Sequence, residues 1–541
     1  MGRLSRSRTR TRTRRPADRE PRKDRAWLFW LAAGAAVLVA LVTFDPRLYV
    51  NGDNAEYLRM GQRVLEGDLW PSPKFPPLFP YLLAPLIAAF GKSVIPPKVL
   101  VLCAYIGAAI LLTPVFRRRL GGPSGAALLF CALTAMPVLE FSHYVMSEVP
   151  FLLTLAATLL FADRITDQEP AASLRAALRD PTAWLLAVSL AAGFYIRTAG
   201  VAVGAGVAMA LLLGRRRHEV VALVVLLLVL GIPWIAHSVT TPGGNPYVRQ
   251  FLLVNPYLPE FGTMDATGLF LRVRYNVMEY FGGILPLSML PIPYRSTYSP
   301  NELQLTRLPW PIAALLMLLL LVGVIRGLRN RDSVAWVFGS SLALILLWPP
   351  VWAGSRFLVP LVPLCFLLVG QGCVALTRLP GVEGSLRAPV RKAVGTALVS
   401  FLVLVSFVSI AKYERETAAY PVPWKNYFDA LAWIRQNTPS DALVIDRKGV
   451  FVEWVADRHA RGFPRNTDPE VMLAFFRDAG ADYIVYPSLP YDDIQRYLVP
   501  AVAALPQYLS VEAVFGGDPV TGEFLTFVFR FHPEGGQNQG P

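Results

Sequence analysis

The stretch AWLFWLAAGAAVLVALVTF, residues 26–44, is followed after a short break by NGDNAEY, residues 51–57. The first stretch is long enough to cross a bilayer core, which takes about 20 apolar residues. It follows a tail, residues 3–25, with 11 Lys/Arg against 3 acids, and such basic segments stay in the cytoplasm. The sequence therefore predicts that Asp53 and Glu56 emerge at the extracytoplasmic surface of the membrane.

Composition extends this prediction to the whole chain. Of the 541 residues 54% are hydrophobic, and the mean hydropathy is +0.42. These values are typical of a polytopic α-helical membrane protein rather than of a soluble domain with a signal peptide. The apolar runs predict about 11 transmembrane helices, near residues 26–44, 97–116, 121–139, 149–163, 182–195, 199–214, 220–238, 309–325, 333–348, 357–376 and 393–411.

The placement of basic residues predicts the orientation. The N-terminal tail and the predicted inner loops hold 27 of the 52 Lys/Arg residues, whereas the short outer turns hold only Arg197 and Arg356. Because both flanks of residues 182–214 are basic, the chain must cross twice there and turn near Arg197. A second turn is predicted at Pro349-Pro350, since proline pairs break helices. The sequence thus predicts a protein of the cell membrane, inner or plasma, with a cytoplasmic N-terminus and an external C-terminus.

This threading divides the chain into three parts. Residues 1–25 form a basic cytoplasmic tail, residues 26–411 a transmembrane domain, and residues 412–541 an extracytoplasmic α/β domain. Three outer segments of the transmembrane domain are candidates to build a site: residues 45–96, 140–148 and 239–308.

The first outer segment is not a simple loop. Residues 54–65 have the helical spacing of apolar and polar residues, and residues 78–90 are apolar but only about 13 long, too short to span. Counting the second stretch as a span would also invert the location of every later arginine cluster. Both are therefore predicted to be helices that lie in the membrane interface.

After the last span the composition changes from membrane to globular. A helix opened by Asp468 and closed by Gly480 lies between two short apolar strands, which is a βαβ signature. With two more strands the domain is predicted to contain a mixed sheet. The four strands are predicted at residues 441–446, 482–486, 509–515 and 524–531.

The net charge of +14 reflects topology rather than a nucleic-acid partner. Beyond residue 411 the chain holds 12 Lys/Arg against 17 Asp/Glu, so the external domain is acidic. All four cysteines lie in apolar runs, which indicates neither a disulfide framework nor a zinc site. The composition thus favours membrane lipids as partners and no nucleic acid.

Six strings carry the most specific signal, and they span almost the whole chain: NGDNAEYLRMGQRVLEGDLW (51–70), KFPPLFPYLLAPLIAAFG (74–91), RRRLGGPSGAALL (117–129), FSHYVMSEVPFLL (141–153), GFYIRTAGVAV (193–203) and SRFLVPLVPL (355–364). In their order they resemble the GT-C superfamily of membrane glycosyltransferases. The resemblance is to the branch with protein O-mannosyltransferases and the lipid A aminoarabinose transferase. These enzymes transfer a sugar from a polyprenyl-phosphate donor, at the outer face, to an acceptor hydroxyl.

The resemblance implies roles for individual residues. Asp53 falls on the family's catalytic Asp, which takes the proton from the acceptor hydroxyl, and one such base gives inversion. Glu148 falls on the second acid, which with Asp53 would bind a divalent cation, Mg²⁺ or Mn²⁺, or orient the acceptor. Lys74 and Arg356 fall on contacts to the donor phosphate, and Arg197 joins them because an intramembrane cation is functional by default. Candidate substrate contacts are Glu56, Tyr57, His143 and Tyr275.

Simpler roles remain open for several of these side chains. Asp53 and Glu56 have the spacing of a capping box. Glu148 is an acid at a helix N-terminus, which the helix dipole alone favours. The three candidate cations could instead extend to lipid head groups, as long basic side chains near a membrane surface do: Lys74, Arg197 and Arg356. His143 has no second His or Cys nearby, which favours local packing over metal binding.

The sequence thus predicts a polyprenyl-phosphate-sugar-dependent glycosyltransferase that moves a hexosyl or pentosyl group to a glycan, lipid or protein acceptor. The alternative function is a membrane transporter or a lipid or glycolipid flippase, which would have internal repeats and acids at the membrane midplane. No repeat is visible, and the carboxylates are predicted at one face. A third possibility is a non-catalytic assembly subunit, against which the combination of Asp53, Glu148 and Arg356 argues.

Overall fold

The computed structural model describes residues 25–50, 53–241, 246–258, 261–290, 310–376, 388–416, 419–489, 491–517 and 525–535. Nearly all of the predicted cytoplasmic tail, and parts of the predicted outer segment 239–308, lie outside these ranges.

The first part of the chain is a bundle of apolar helices, because in lipid every backbone polar group needs a partner within its own segment. The helices are α1 Ala26–Val42, α2 Asn54–Leu65, α3 Leu78–Phe90, α4 Ile95–Arg119, α5 Gly122–Thr134, α6 Met136–Phe141, α7 Glu148–Asp167, α8 Leu174–Arg179, α9 Pro181–Ile196, α10 Gly200–Leu213, α11 Arg217–Thr240, α12 Pro246–Leu252, α13 Ala266–Glu279, α14 Leu285–Met289, α15 Trp310–Arg329, α16 Ser333–Leu347, α17 Val362–Leu376 and α18 Ala388–Glu416.

Five stretches within these helices are long and apolar enough to cross a membrane: Ile95–Arg119, Glu148–Asp167, Arg217–Thr240, Pro311–Arg329 and Gly395–Arg415. Seven shorter apolar helices accompany them in the described part of the chain. Six of the seven coincide with predicted spans, and the seventh is α3, which the sequence places in the interface. The multi-pass helical architecture is therefore confirmed, whereas the count of about 11 spans stays a prediction.

Both predicted turns between closely spaced spans are confirmed. Helix α9 ends at Ile196, Arg197 is extended with φ −147° and ψ 131°, and α10 begins at Gly200. A side chain at Gly200 would lie 2.7 Å from the backbone nitrogen of Phe194, so only glycine permits this tight turn. After α16 the chain forms two short 3₁₀ turns, Pro350–Trp352 and Ser355–Leu358, before α17 begins.

A buried ion cluster joins four helices at one end of the bundle. Arg119, the last residue of α4, donates from Nη1 to Asp163 Oδ2 at 2.6 Å and from Nη2 to Asp332 Oδ1 at 2.7 Å. Ser333 accepts a further bond from Arg119 at 3.2 Å, and Gln371 donates to Asp332 at 3.0 Å. We call these five residues the Arg119 cluster. It ties the ends of α4 and α7 to the start of α16 and to α17.

The C-terminal domain has the predicted mixed sheet. The helices are α19 Val422–Asn437, α20 Gly449–Phe451, α21 Pro469–Ala479 and α22 Val499–Ala504, and the strands are β1 Leu443–Ile445, β2 His459–Arg461, β3 Tyr483–Tyr486, β4 Leu509–Phe515 and β5 Thr526–Phe531. The strand order is β2-β1-β3-β5-β4. Strand β1 pairs in parallel with β2 and with β3, and β5 pairs antiparallel with β3 and with β4. Strand β2 was not predicted, because its three residues include no large apolar side chain.

This domain rests on helix α2, which the sequence predicts to lie in the membrane interface. Helix α20 and the π-helical turn that follows it, Val452–Ala456, both pack against α2. Arg59 of α2 lies 3.5 Å from the Glu453 carboxylate, and Lys92 donates to the backbone carbonyl of Glu453 at 2.8 Å. Since α2 begins next to Asp53, this contact brings the C-terminal domain close to the predicted catalytic residue.

Candidate functional site

Asp53 immediately precedes α2, at the position of a helix cap. Its carboxylate nevertheless makes no capping hydrogen bond to the helix. Instead Oδ2 accepts a hydrogen bond from Arg356 Nη2 at 2.6 Å, across 303 residues of sequence. The capping box that the spacing left open is therefore not formed, and the side chain of Asp53 faces the turn before α17.

Glu148 is the first residue of α7 and is fully buried. Its Oε1 accepts a hydrogen bond from Arg356 Nε at 2.5 Å and lies 2.6 Å from Arg197 Nη1. Its second oxygen, Oε2, is buried without a hydrogen-bond partner. Arg356 thus bridges the two predicted acids, and Glu148 keeps one oxygen available.

A hydroxyl network orients the second arginine. Arg197 Nη1 donates to Ser147 Oγ at 3.0 Å, and the buried Tyr57 hydroxyl donates to the same oxygen at 2.8 Å. The extended conformation of Arg197 between α9 and α10 directs its side chain toward α7. Ser147, which sequence reasoning missed, therefore joins Tyr57 and Arg197 beside Glu148.

Lys74 lies in the connection between α2 and α3 and is half-buried. Its Nζ is 5.3 Å from the ring centre of Phe75, 5.3 Å from that of Tyr247 and 5.5 Å from that of Trp352. No carboxylate of the described chain forms an ion pair with it. Lys74 is therefore a cation held by aromatic faces, which leaves its charge for another partner.

The five charged residues form one electrostatic unit, which we call the Asp53 cluster: Asp53, Lys74, Glu148, Arg197 and Arg356. Burial alone would raise the pKa of Asp53, but the Arg356 guanidinium, with help from Lys74 and Lys448, outweighs this effect and holds the pKa below its usual value. Burial lowers the pKa of Lys74, and the nearby Asp53 charge offsets part of this effect. The cluster thus contains two ionised acids and three cations.

Lys448, from the C-terminal domain, is the second residue that sequence reasoning missed. It follows β1 and belongs to the segment that packs on α2, and its charge contributes to the low pKa of Asp53. Nothing in the local pattern marks it, because a single lysine after a strand is common at protein surfaces. Only the docking of the two domains brings it to the cluster.

Three predicted substrate contacts do not join the Asp53 cluster. Glu56 accepts a hydrogen bond at 3.0 Å from Arg59, which also contacts the C-terminal domain.

His143 is buried, and both of its ring nitrogens form hydrogen bonds inside the bundle. Its Nε2 bonds the Ala40 carbonyl at 2.8 Å, and its Nδ1 bonds the Tyr413 hydroxyl. Tyr275 lines a separate open cavity of about 530 Å³ together with residues of α13 and Pro350.

The divalent cation stays a prediction. In the part of the chain that the structure describes, no group of three or more His, Cys, Asp and Glu side chains could hold a metal ion. Asp53 and Glu148 already bind Arg356, which lies between them. In this arrangement the two carboxylates therefore do not fit a resident Mg²⁺ or Mn²⁺.

Comparison with known proteins adds evidence about the fold. No protein-family model and no curated protein sequence matches the chain. The structure is similar to ArnT from Cupriavidus metallidurans bound to undecaprenyl phosphate, with a TM-score of 0.56 and 16% identity over 93% of this chain and 98% of that chain. It is also similar to the archaeal oligosaccharyltransferase AglB from Archaeoglobus fulgidus in complex with an inhibitory peptide and a dolichol-phosphate. Here the TM-score is 0.56 and the identity 13%, over 95% of this chain and 75% of that chain.

Both enzymes are glycosyltransferases of the GT-C superfamily. At these identities the likeness concerns the arrangement of the chain rather than individual side chains. It covers more than nine-tenths of this protein, including both the helical bundle and the C-terminal domain. The predicted resemblance is thus confirmed, and the chain has the fold of GT-C membrane glycosyltransferases.

Proposed function

We propose that this protein transfers a sugar from a polyprenyl-phosphate donor to an acceptor hydroxyl at the outer face of the membrane. One observation carries the proposal: two acids share Arg356 at one end of the bundle, with Arg197 and Lys74 adding positive charge beside them. A leaving phosphate needs such charge, and an attacking hydroxyl needs a carboxylate. The polyprenyl phosphates bound to ArnT and to AglB support the same class of donor.

Asp53 is the general base in this proposal. It is ionised at neutral pH, is one-third exposed, and is the acid of the pair that an acceptor can reach, whereas Glu148 is fully buried. A single carboxylate that removes the hydroxyl proton as the oxygen attacks the anomeric carbon gives one displacement, with inversion. Glu148 fixes Arg197 and Arg356 in the orientation that meets the phosphate.

Arg356 links donor binding to the strength of the base. It now donates to both acids, so a donor phosphate that takes over its Nη2–H breaks the hydrogen bond to Asp53 and offsets the positive charge beside it. The pKa of Asp53 then rises toward the range in which the carboxylate accepts a proton more readily. Donor binding would in this way prepare the base for the acceptor.

The orientation of the protein in the membrane follows from its distribution of charged residues. The Asp53 cluster lies at the end of the bundle where α7 begins, and the arginine-rich ends of α4 and α15 lie at the other end, which the positive-inside rule places in the cytoplasm. The C-terminal domain, which packs on α2 beside Asp53, is then extracytoplasmic. A transporter or flippase is disfavoured because it would place its charged groups at the membrane midplane.

The proposal is tested in cells that lack the protein. Mass spectrometry of envelope lipids, glycans and proteins should reveal a missing hexosyl or pentosyl modification. The wild-type gene should restore the modification, and the Asp53→Asn variant at equal membrane abundance should not. Restoration by both forms would contradict Asp53 as the base, and an unchanged envelope would contradict the transferase.

A further inference from the structure

Lys448 is held in place by a buried acid of its own domain. The Asp446 carboxylate accepts a hydrogen bond from the backbone N–H of Lys448 at 2.8 Å and another from the Tyr427 hydroxyl at 2.6 Å. The next residues, Gly449–Phe451, form α20, which packs on α2. The backbone of Lys448 is thus fixed from both sides, between the sheet of the C-terminal domain and the helix that begins beside Asp53.

The side chain of Lys448 has aromatic contacts and no acid partner. Its Nζ lies 5.0 Å from the ring centre of Tyr491 and 5.8 Å from that of Phe451. Among the described residues no carboxylate forms an ion pair with it, because the neighbouring Asp493 is bound by Arg447. Burial lowers the pKa of Lys448 to about 8, and the Arg447 charge adds to this, while Asp53 offsets part of it.

Two cations near Asp53 have no directly paired acid among the described residues. Two acids, Asp53 and Glu148, face the cations Arg197 and Arg356 with direct ion pairs. Lys74 and Lys448 make no ion pair among the described residues, and the charges of both lower the pKa of Asp53. Glu56 acts on Lys74, and Asp446 and Asp493 act on Lys448, without a direct ion pair. Two half-buried ammonium groups on aromatic faces, beside a charge-neutral ion-pair network, are suited to an anion that the chain itself does not supply.

We propose that Lys448 binds a phosphate group of a substrate, so that the C-terminal domain completes the reaction site. This inference rests on the proposed function, because it assigns Lys448 to the site at which the sugar is transferred. The phosphate belongs either to the polyprenyl donor or to an acceptor that carries its own phosphate. In both cases the phosphate oxygens accept hydrogen bonds from the ammonium group of Lys448.

Competitive labelling of lysines tests this proposal. The full-length protein in detergent is acetylated with a limiting amine-reactive reagent, alone, with undecaprenyl phosphate, or with undecaprenyl phosphate and inorganic phosphate, and each lysine is quantified by mass spectrometry. Lys74 reports on the proposed donor site. Lys425, an exposed lysine of the C-terminal domain that pairs with Asp429, is the matched control. With a ligand at ten times its Kd, labelling of a covered lysine should slow about tenfold.

Each outcome has one meaning. Protection of both Lys74 and Lys448 by undecaprenyl phosphate assigns Lys448 to the donor phosphate. Protection of Lys448 only when inorganic phosphate is added assigns it to an acceptor phosphate. Protection of Lys74 alone overturns the inference about Lys448 and leaves the proposed function standing. Protection of neither lysine argues against the inference and against the proposed function.

A pair of substitutions checks the labelling. Lys448→Met removes the charge at nearly the same length and should weaken binding of the protecting phosphate about tenfold, as expected for a charge-assisted hydrogen bond. Lys448→Arg should keep most of the affinity, and Lys425→Met should change nothing. Equal affinity of wild type and Lys448→Met, with both proteins folded by thermal melting, would overturn the proposal.

Discussion

Two acids of this protein occupy similar positions and face different surroundings. Asp53 precedes α2, Asp332 precedes α16, and each is bound by an arginine from a distant helix or turn. Asp332 also caps its helix, and its cluster is closed: Arg119, Asp163 and Asp332 have side chains only 7%, 8% and 13% exposed. In the Asp53 cluster the Asp53 and Arg356 side chains are 33% and 27% exposed.

The two clusters also differ in how completely their groups are paired. In the Arg119 cluster all four carboxylate oxygens of Asp163 and Asp332 accept hydrogen bonds, and within that cluster only the Gln371 amide oxygen is buried without a partner. In the Asp53 cluster Glu148 Oε2 has no hydrogen-bond partner, and Lys74 has aromatic contacts in place of an acid. A cluster whose carboxylates are fully hydrogen-bonded holds helices together, whereas one with an unbonded carboxylate oxygen and an unpaired cation is suited to a ligand.

The largest expected difference between the clusters is their side of the membrane. They lie near opposite ends of α7, where Glu148 and Asp163 are separated by about 22 Å of helix rise. Reporter fusions after Leu120, Arg217 and Arg329 should be cytoplasmic, and fusions after Pro242 and Ala419 external. A cytoplasmic reporter after Ala419 would contradict both the external position of the C-terminal domain and the odd number of spans.

Removal of the shared arginine should affect the Arg119 cluster through stability. Arg119→Ala leaves two buried carboxylates without their partner, which is expected to cost about 3 to 5 kcal/mol. Thermal unfolding in detergent measures this loss. Arg329→Ala, at an exposed position of α15, is the control and should change stability by less than about 0.5 kcal/mol. Equal melting temperatures of the two variants would show that the Arg119 cluster does not stabilise the helical bundle.

The corresponding change in the Asp53 cluster should affect donor binding. Arg356→Ala or Lys74→Ala removes a charge-assisted contact of about 1.5 to 3 kcal/mol, so donor affinity should fall about 10- to 150-fold while acceptor affinity changes less. Arg63→Ala, which removes a half-exposed arginine of α2, is the control. Unchanged donor affinity in both variants would refute the phosphate assignment.

The smallest effect should be a shift in pH dependence. Arg356 holds the pKa of Asp53 low, so the base is ionised above its folded pKa and activity is lost only in strong acid. In Arg356→Gln that pKa rises, and the acid limb of kcat/KM should move to higher pH. The pH profile of the remaining transfer activity measures this. An acid limb at the same pH in wild type and in Arg356→Gln would show that Arg356 does not set the pKa of Asp53.

Much of this arrangement could be predicted because topology constrains it. Hydrophobic runs and arginine placement predict the turns at Arg197 and before Arg356, and turns on the same face of a bundle lie close together. The same constraint predicts that Asp53, Lys74 and Glu148 lie near these turns, because they also belong to outer segments. The pattern of one chain segment, however, does not specify which partner a side chain takes.

That limit explains the differences from expectation. Glu56 has the right spacing for a cap but pairs with Arg59, one turn further along the same helix. His143 fills its two hydrogen bonds inside the bundle. Lys448 reaches the cluster only because the C-terminal domain docks on α2, and domain docking leaves no periodic signal in the sequence. The roles of the clustered residues in transfer stay predictions for the experiments above.

The most direct measurement compares Asp53→Asn with Asp332→Asn for both transfer rate and melting temperature. Asparagine is nearly isosteric with aspartate and is a good helix cap, so each substitution removes mainly a charge and a proton acceptor. Asp53→Asn should lower the transfer rate about 100- to 10,000-fold with little change in melting, because the general base is lost. Asp332→Asn should lower the melting temperature while the folded fraction remains active. Near wild-type transfer by folded Asp53→Asn protein would contradict the account.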